Sequence, residues 1–454
     1  MTKTGIPTEL GTAPIGKLLL QYAIPAIIAM TAASLYNMVD SIFIGQGVGP
    51  LAISGLAITF PLMNLAAAFG SLVGVGASTL VSVKLGQKDY GMAQNVLGNV
   101  ITLNVVIGIA FSIVALLMLD PILYFFGASD DTISYARDYM VIILWGNVVT
   151  HMYFGLNSLL RASGHPQKAM IATINTVVIN TLLDPLFIYV FRWGIQGAAI
   201  ATVLSQVISL TWQLRTFMDK KELLHLRRGI YRLKGSIVKN TLAIGLSPFL
   251  MNLAACFIVI FINKGLKDFE GDLAIGAFGI VNRISFLFIM IVMGLNQGMQ
   301  PIAGYNFGAL QYQRVDRVLK LTILGATVVT TTGFLVGELM PELVASAFTG
   351  NDELIGLSAT GLRITMLCYP IIGFQMVTSN FFQSIGMASK AIFLSLTRQL
   401  LFLLPCIIVL PFFWGAKGIW WSMPVSDLAA SIVAGIMLYR QFRVFKAHER
   451  VRIQ

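Results

Sequence analysis

The sequence predicts an all-α polytopic membrane protein: twelve transmembrane helices in two six-helix lobes, related by a pseudo-twofold axis along the membrane normal. Three observations predict it. Of 454 residues, 56% are hydrophobic and only 11% are charged, where a soluble domain carries roughly 25%. Apolar runs that meet the roughly 20 residues needed to cross a bilayer recur along the whole chain. The chain also repeats itself at one offset. Together with a mean hydropathy of +0.80, this excludes a disordered chain, a secreted disulfide scaffold and an ordinary cytosolic enzyme.

Twelve apolar runs stand between polar breaks, at 17–44, 51–82, 95–118, 133–160, 168–191, 195–217, 237–263, 273–304, 318–339, 356–384, 390–412 and 416–441. Residues 1–14 are polar and rich in Gly and Pro, with no cleavage-type site behind a short apolar core. The first run is therefore expected to be a permanent span rather than a removed leader.

Orientation follows from the basic residues, which give the chain a net charge of +11. With the N-terminus in the cytoplasm, 23 Lys and Arg fall on the cytoplasmic side and 7 outside or in the outer half of a span. That asymmetry predicts cytoplasmic N- and C-termini.

The duplication is read from four matches in the same order. LAISGLA (51–57) pairs with LAIGAFG (273–279), VKLGQKDY (83–90) with YNFGALQY (305–312), and LLRASGHPQKA (159–169) with FFQSIGMASKA (381–391), each 222 residues on. WGIQGAA (193–199) pairs with WGAKGIW (414–420) at 221. Six spans is an even number, so both halves enter the membrane from the same side and form a parallel repeat. The expected domains are an N-terminal six-helix lobe (1–217), a basic cytoplasmic linker (218–236) and a C-terminal six-helix lobe (237–454). The linker, with Leu and Tyr among its charges, is either a short amphipathic helix on the inner leaflet or a solvated connector.

Charges inside spans are costly and need a reason. The carboxylates are Asp40, Asp184 and Asp427; the cations are Arg283 and Arg398. At about 1.5 Å per residue, Asp184 stands about 24 Å up its span and Thr202 about 13 Å down the next, so both share an outer layer with Asp40. Asn180 lies one turn before Asp184, and Gln206 one turn after Thr202. Two buried carboxyls close together cannot both stay ionised alone; they take up a proton or share a bound Na⁺. A carrier site for H⁺ or Na⁺ is the favoured reading, against a hydrogen-bond network that never titrates. Pro25 and Pro185 each remove a backbone hydrogen bond and mark places where a helix can bend.

The second lobe lacks this acid pair. The partner of Asp40 falls near Asn263, and that of Asp184 in the apolar run LFLLPCI. Spans four and ten carry matched polar stripes: Tyr153, Asn157 and Arg161 in one, Gln375, Ser379 and Gln383 in the other. Such a face either lines a substrate cavity or ties helices together. With Tyr36, Asn37, Gln206 and Arg283, the residues Tyr153, Asn157, Gln375 and Ser379 form the candidate substrate cavity. Asp427 has Arg283 or Arg398 as a partner, and an internal salt bridge is expected there rather than a second ion site.

Other chemistry is thin. Cys256, Cys368 and Cys406 stand alone in apolar runs, and the four histidines have no metal-ligand spacing. No phosphate-binding loop and no Gly-x-Ser-x-Gly motif occurs, so a non-enzyme is expected.

These residues resemble the multidrug and toxic compound extrusion (MATE) family across essentially the whole chain. The resemblance rests on two parallel sixes, on P-x(14)-DSIFIG from Pro25 to Gly45, on NSLLRASGHPQKA (157–169) and on N-x-x-LDPLFI (180–188). It is similar to the DinF-like branch, whose first-lobe acids match Asp40 and Asp184. Asn180 and Thr202 match further cation-site members of that branch, and Tyr139 is grouped with them; Pro25 matches a bending proline. The resemblance implies export of cationic or amphipathic drugs against Na⁺ or H⁺, with no other cofactor or metal. It also implies a monomer in the prokaryotic cytoplasmic (inner) membrane, bathed in lipid and without nucleic acid. The alternative is a lipid-linked sugar flippase or polysaccharide exporter, which is expected to carry basic residues in its cavity.

Overall fold

The structure is a computed structural model that describes residues 8–453, and every regular element among them is helical. Ten helices are long and apolar enough to cross a membrane, and two bent pairs bring the spans to twelve. Each coincides with a run read from the sequence, because runs of this length and apolarity have no other way to satisfy their backbone in lipid. The chain is a multi-pass membrane protein.

The first half comprises Ile15–Gly47, Pro50–Gly86, Tyr90–Leu117, the pair Ile133–Trp145 and Asn147–Ala162, then Pro166–Val190 and Gly194–Met218. The second comprises Gly235–Glu270, Asp272–Gly308, Tyr312–Leu339, the pair Asp352–Met366 and Tyr369–Ser384, then Ala388–Trp414 and Ala416–Ile453. The fourth span bends by 56° and the tenth by 55°, at breaks 222 residues apart.

Backbone torsions carry the same duplication. Left-handed residues pair as Gly49 with Gly271, Lys88 with Leu310 and Gly164 with Gly386, all 222 apart, and as Gly194 with Gly415 at 221. Lys88 (φ 59°) and Leu310 (φ 58°) are not glycine, so each conformation costs roughly 1–2 kcal/mol. Both end long helices in the same closing motif. The Asp89 amide donates to the Lys84 carbonyl at 2.9 Å and the Gln311 amide to the Asn306 carbonyl at 2.8 Å. Those bonds satisfy carbonyls the helix end would leave open.

Two compact units partition the chain. One holds 28–249 with the short helix Glu9–Thr12; the other holds 13–27 with 250–454. The boundaries at 27/28 and 249/250 each fall within three residues after a proline inside a helix, Pro25 and Pro248. A proline deletes one rung of the ladder, so it is where a long helix divides most easily.

In the first unit a core of Ile44, Leu56, Leu62, Leu123, Met140, Ile188 and Ile195 closes around Tyr139. In the second, Leu266, Val281, Leu362, Met366, Ile372, Ile419 and Trp420 play that part.

The segment 219–234 contains no helix, so the amphipathic-helix reading of the linker does not hold. Neither is it a free connector. The third span pins its backbone: Asn99 Nδ2 donates to the Ile230 and Arg232 carbonyls at 3.3 and 3.1 Å, and Thr102 Oγ1 to the Tyr231 carbonyl at 2.8 Å. The Lys234 amide donates to Asn99 Oδ1 at 2.8 Å, and Gln94 brackets the His225 peptide on both sides. The His225 and Lys234 amides, bonded outward, cannot also donate along a helix, and the amphipathic pattern gives way.

Candidate functional site

Four elements of the first unit converge on one polar cluster. The first span brings Asp40 and, one turn before it, Tyr36. The first arm of the bent fourth span brings Tyr139, the fifth span Asn180 and Asp184, and the sixth Thr202 and Ser205. The spacing of four residues sets Asn180 and Asp184 on one face of the fifth helix.

Asn180 is the hub. Its Nδ2 donates to Asp184 Oδ2 at 2.9 Å and to Tyr36 Oη at 2.9 Å. Its Oδ1 accepts from Ser205 Oγ at 3.5 Å. Tyr36 Oη lies 3.2 Å from Thr202 Oγ1, and the Tyr139 hydroxyl is close to the same threonine. The Asp40 and Asp184 carboxyls meet each other within hydrogen-bond reach. Asp184 is fully buried and Asp40 is 6% exposed.

Two features of this cluster matter chemically. No basic side chain among the described residues pairs with either aspartate. Oδ1 of Asp40 and Oδ1 of Asp184 also receive no hydrogen bond from any donor among the described residues. Buried carboxylates without counter-charge or donor are costly, and what answers them is a proton or a small hard cation. The surrounding groups are oxygen-rich: two carboxyls, one amide and four hydroxyls. That donor set suits H⁺ or Na⁺ and is a poor match for a soft metal. Among the described residues no cluster of His, Cys, Asp and Glu could hold a transition metal.

Pro185 follows Asp184 directly, and the helix continues as a π-helical turn over Leu186–Val190. The proline has no amide to offer the Thr181 carbonyl four residues back, so the ladder loosens next to the acid.

All five residues read from the sequence as a cation site (Asp40, Tyr139, Asn180, Asp184 and Thr202) are thus in one cluster, with Tyr36 from the cavity set. The Asn37 side chain lies outside the described residues. Gln206 is one turn further along the sixth span, and its Oε1 accepts from Thr150 Oγ1 at 2.5 Å.

Of the matched stripes of spans four and ten, Tyr153, Asn157 and Ser379 bond to neighbouring helices. Tyr153 Oη donates to Thr173 Oγ1 at 3.4 Å, and Asn157 Nδ2 to the Ala169 carbonyl at 2.9 Å. Arg161 donates back to Asn157 Oδ1 and, at 3.2 Å, to Ser158 Oγ. Ser379 Oγ lies 3.1 Å from Ser395 Oγ, and Gln375 is buried. Arg283 is exposed on the eighth span. The partner of Asp427 is Arg398, whose Nε donates to Oδ1 at 2.6 Å.

Ser205 was not among the sequence candidates. It stands three residues after Thr202 and four before Ser209, which accepts from Thr176 Oγ1 at 2.7 Å. The run of small hydroxyls at helical spacing on the sixth span was the available signal.

The family model described as MatE matches residues 25–186 and 243–408, one stretch in each half. The chain belongs to the MATE family. Multidrug export protein MepA of Staphylococcus haemolyticus is 26% identical over 425 residues, which cover 94% of this chain and 93% of that protein. Among solved structures, an outward-facing multidrug resistance MATE family transporter of the MOP superfamily superposes with a TM-score of 0.91 at 24% identity, covering 98% of this chain and 100% of the other. A MOP superfamily transporter from Pyrococcus furiosus superposes with a TM-score of 0.92 at 24% identity, covering 98% and 99%. That protein is described as having a binding pocket of reverse polarity that suggests a different function. Likeness at this level establishes the twelve-helix, two-lobe fold. It does not choose a substrate; the polar groups of the particular chain must do that.

Proposed function

We propose that this MATE protein is a secondary active multidrug exporter, trading organic cations against inward Na⁺ or H⁺ by alternating access of its two lobes. One observation carries the reading: two buried aspartates touch, have no basic partner among the described residues, and keep an undonated oxygen each. Such a pair is stable only when occupied, and an occupant that can leave on the other side of the membrane is a coupling ion. A relative named as a multidrug export protein supports the export direction.

The ion enters from outside, binds Asp40 and Asp184, and displaces the exported cation's claim on the carboxylates. On the inner side it leaves and a cationic drug is captured. One inward charge gains roughly 2.3 kcal/mol per 100 mV of membrane potential. A monovalent cation exported in exchange returns that electrical term, so the ion's concentration gradient does the driving. The bias of 23 basic residues to 7 supports cytoplasmic termini in a prokaryotic inner membrane. The protein works as a monomer, with no cofactor beyond the ion and no enzymatic step.

Proteoliposomes of the full chain, loaded with a fluorescent organic cation and given either a Na⁺ or a pH gradient, test this. One gradient should drive efflux in the wild type, and Asp40→Asn and Asp184→Asn should each abolish it while inserting normally. Normal gradient-driven pumping by either variant would overturn the coupling site. Exposed Arg283 favours the second reading, a lipid-linked sugar flippase. In that case an anionic lipid-linked sugar, and no organic cation, would cross whichever gradient is applied.

A further inference from the structure

The second unit holds an ion pair at membrane depth that the coupling chemistry does not use. Arg398 lies ten residues into the span Ala388–Trp414, about 15 Å along at 1.5 Å per residue. That is near the middle of a hydrocarbon core about 30 Å thick. Its Nε donates to Asp427 Oδ1 at 2.6 Å. The pair is lopsided: the Asp427 side chain is 2% exposed, the Arg398 side chain 26%.

Leaving the exposed part of the guanidinium in lipid would be costly. A lone charge at that depth costs several kcal/mol in hydrocarbon, and the helix itself argues the same way. Ala391, Leu394 and Ser395, one and two turns before Arg398 on its own face, are buried. The apolar exposed residues Phe393 and Leu400 stand on another face. Ser395 in turn meets Ser379 of the tenth span. Arg398 therefore lies on the face of its span that packs into its own unit.

Only one of the five guanidinium N–H groups is used. Among the described residues neither Nη nitrogen has a hydrogen-bond acceptor, which leaves four N–H groups. The buried carboxylate fixes the plane of the fork from behind. Next to it, Gln399 Oε1 is buried with no donor, on the π-helical turn Thr397–Leu403. Such turns occur mostly at functional positions. The Tyr369 hydroxyl lies near the pair. A simple structural salt bridge would bury both partners and use the fork face to face.

We propose that Arg398, positioned by Asp427, is an anion-recognition subsite that binds the carboxylate of zwitterionic amphiphilic substrates. The ligand's status as exported cargo rests on the exporter reading above; its binding does not. Asp427 is a positioning residue, since it acts through Arg398.

The test is equilibrium binding to the purified full chain. The two probes are a zwitterionic fluoroquinolone and its ethyl ester, which keeps the amine and loses the carboxylate. The wild type should prefer the acid. In Arg398→Gln that preference should fall by about tenfold or more, the worth of a charged hydrogen bond, and Arg398→Lys should recover part of it. Should Arg398→Gln fold poorly, the double variant R398M/D427L keeps the test open, because apolar residues of similar volume replace a buried pair without leaving a charge stranded. It should fold and show no preference.

Equal binding of acid and ester by the wild type, or an unchanged preference in R398M/D427L, would overturn the proposal. So would a thermal shift by phosphatidylglycerol lost in Arg398→Gln with no acid–ester difference, which would give the fork to a lipid headgroup. Failure of ion-driven efflux with the acid preference intact would sink the exporter reading alone.

Discussion

Asp184 in the fifth span and Asp427 in the twelfth are both buried carboxylates at membrane depth, one in each half of a duplicated chain. Their surroundings are opposite. Asp184 meets a second acid, Asp40, and has Asn180 as its donor. Asp427 meets a guanidinium. Under the repeat, the counterparts of Arg398 and Asp427 in the first half are Thr176 and Gln206, neutral groups bonded to Ser209 and Thr150. Duplication thus set the same helices in place twice, and the two halves surround their buried acid with opposite groups. An acid held by another acid must take its neutralising partner from solution. An acid held by arginine already has one.

The largest expected effect breaks this contrast directly. Asp40→Asn or Asp184→Asn should abolish gradient-driven efflux, while R398M/D427L should retain it for purely cationic dyes, both measured in the same proteoliposomes. Equal loss in both halves would mean that coupling is spread over the two lobes.

Stability should run the other way. Removing one partner of a buried ion pair strands the other, at a cost of about 3–5 kcal/mol. Arg398→Gln and Asp427→Asn should each lower the unfolding free energy of the purified chain by about that much, and R398M/D427L should restore most of it. Asp184→Asn relieves a like-charge contact and should leave stability equal or higher. Chemical unfolding followed by tryptophan fluorescence reads all four. A loss in Asp184→Asn as large as that in Asp427→Asn would remove the distinction.

How far this was legible beforehand depends on which dimension of the helix is asked about. Depth was legible, because the rise per residue is fixed: counting puts Asp40, Asp184 and Thr202 in one layer with Asn180 a turn from Asp184, and one polar cluster holds all four. Lateral position was not. Counting left Asp427 with two candidate arginines, and only packing puts Arg398 beside it. The stripe at Tyr153 and Asn157 was correctly polar, but which neighbour consumes it depends on the Thr173 hydroxyl of an adjacent helix. The linker misled in a different way. Its basic, Leu-containing pattern is a fair helix signal, yet Gln94, Asn99 and Thr102 lie more than a hundred residues earlier and take its backbone bonds.

That strap gives a smaller contrast between the halves. A Cβ on Gly98 would sit 2.3 Å from the Ile230 carbonyl oxygen, which cannot move aside without breaking the strap. The counterpart 222 residues on is Lys320, exposed and paired with Asp316 at 2.7 Å. Gly98→Val should therefore cost about 1–3 kcal/mol as an overpacked site, with faster hydrogen exchange over 219–234. Lys320→Val should cost at most about 0.5 kcal/mol, the worth of an exposed helical pair. If both variants behave alike, the strap contributes nothing to the first unit.

The smallest effect is a pH dependence present in one half only. His165 sits at the end of the strap, between the fourth and fifth spans. Its Nε2 is 3.1 Å from Glu222 Oε2, its Nδ1 is 3.4 Å from Ser163 Oγ, and Lys168 Nζ reaches Glu222 Oε1 at 2.8 Å. Burial lowers its pKa, and Lys168 adds to that; Glu222 pulls upward without winning. The native state then binds fewer protons than the unfolded chain in the window below the ordinary value of about 6.5. Stability therefore rises with pH through that window and is lost as pH falls. The counterpart in the second half is Met387, which cannot titrate. Amide exchange over 219–234 should quicken between pH 7.5 and pH 5.5 in the wild type beyond the intrinsic chemical rate. In His165→Met, the residue the other half uses, that difference should vanish. Persistence of the full pH effect in His165→Met would show that the strap's pH dependence does not come from His165.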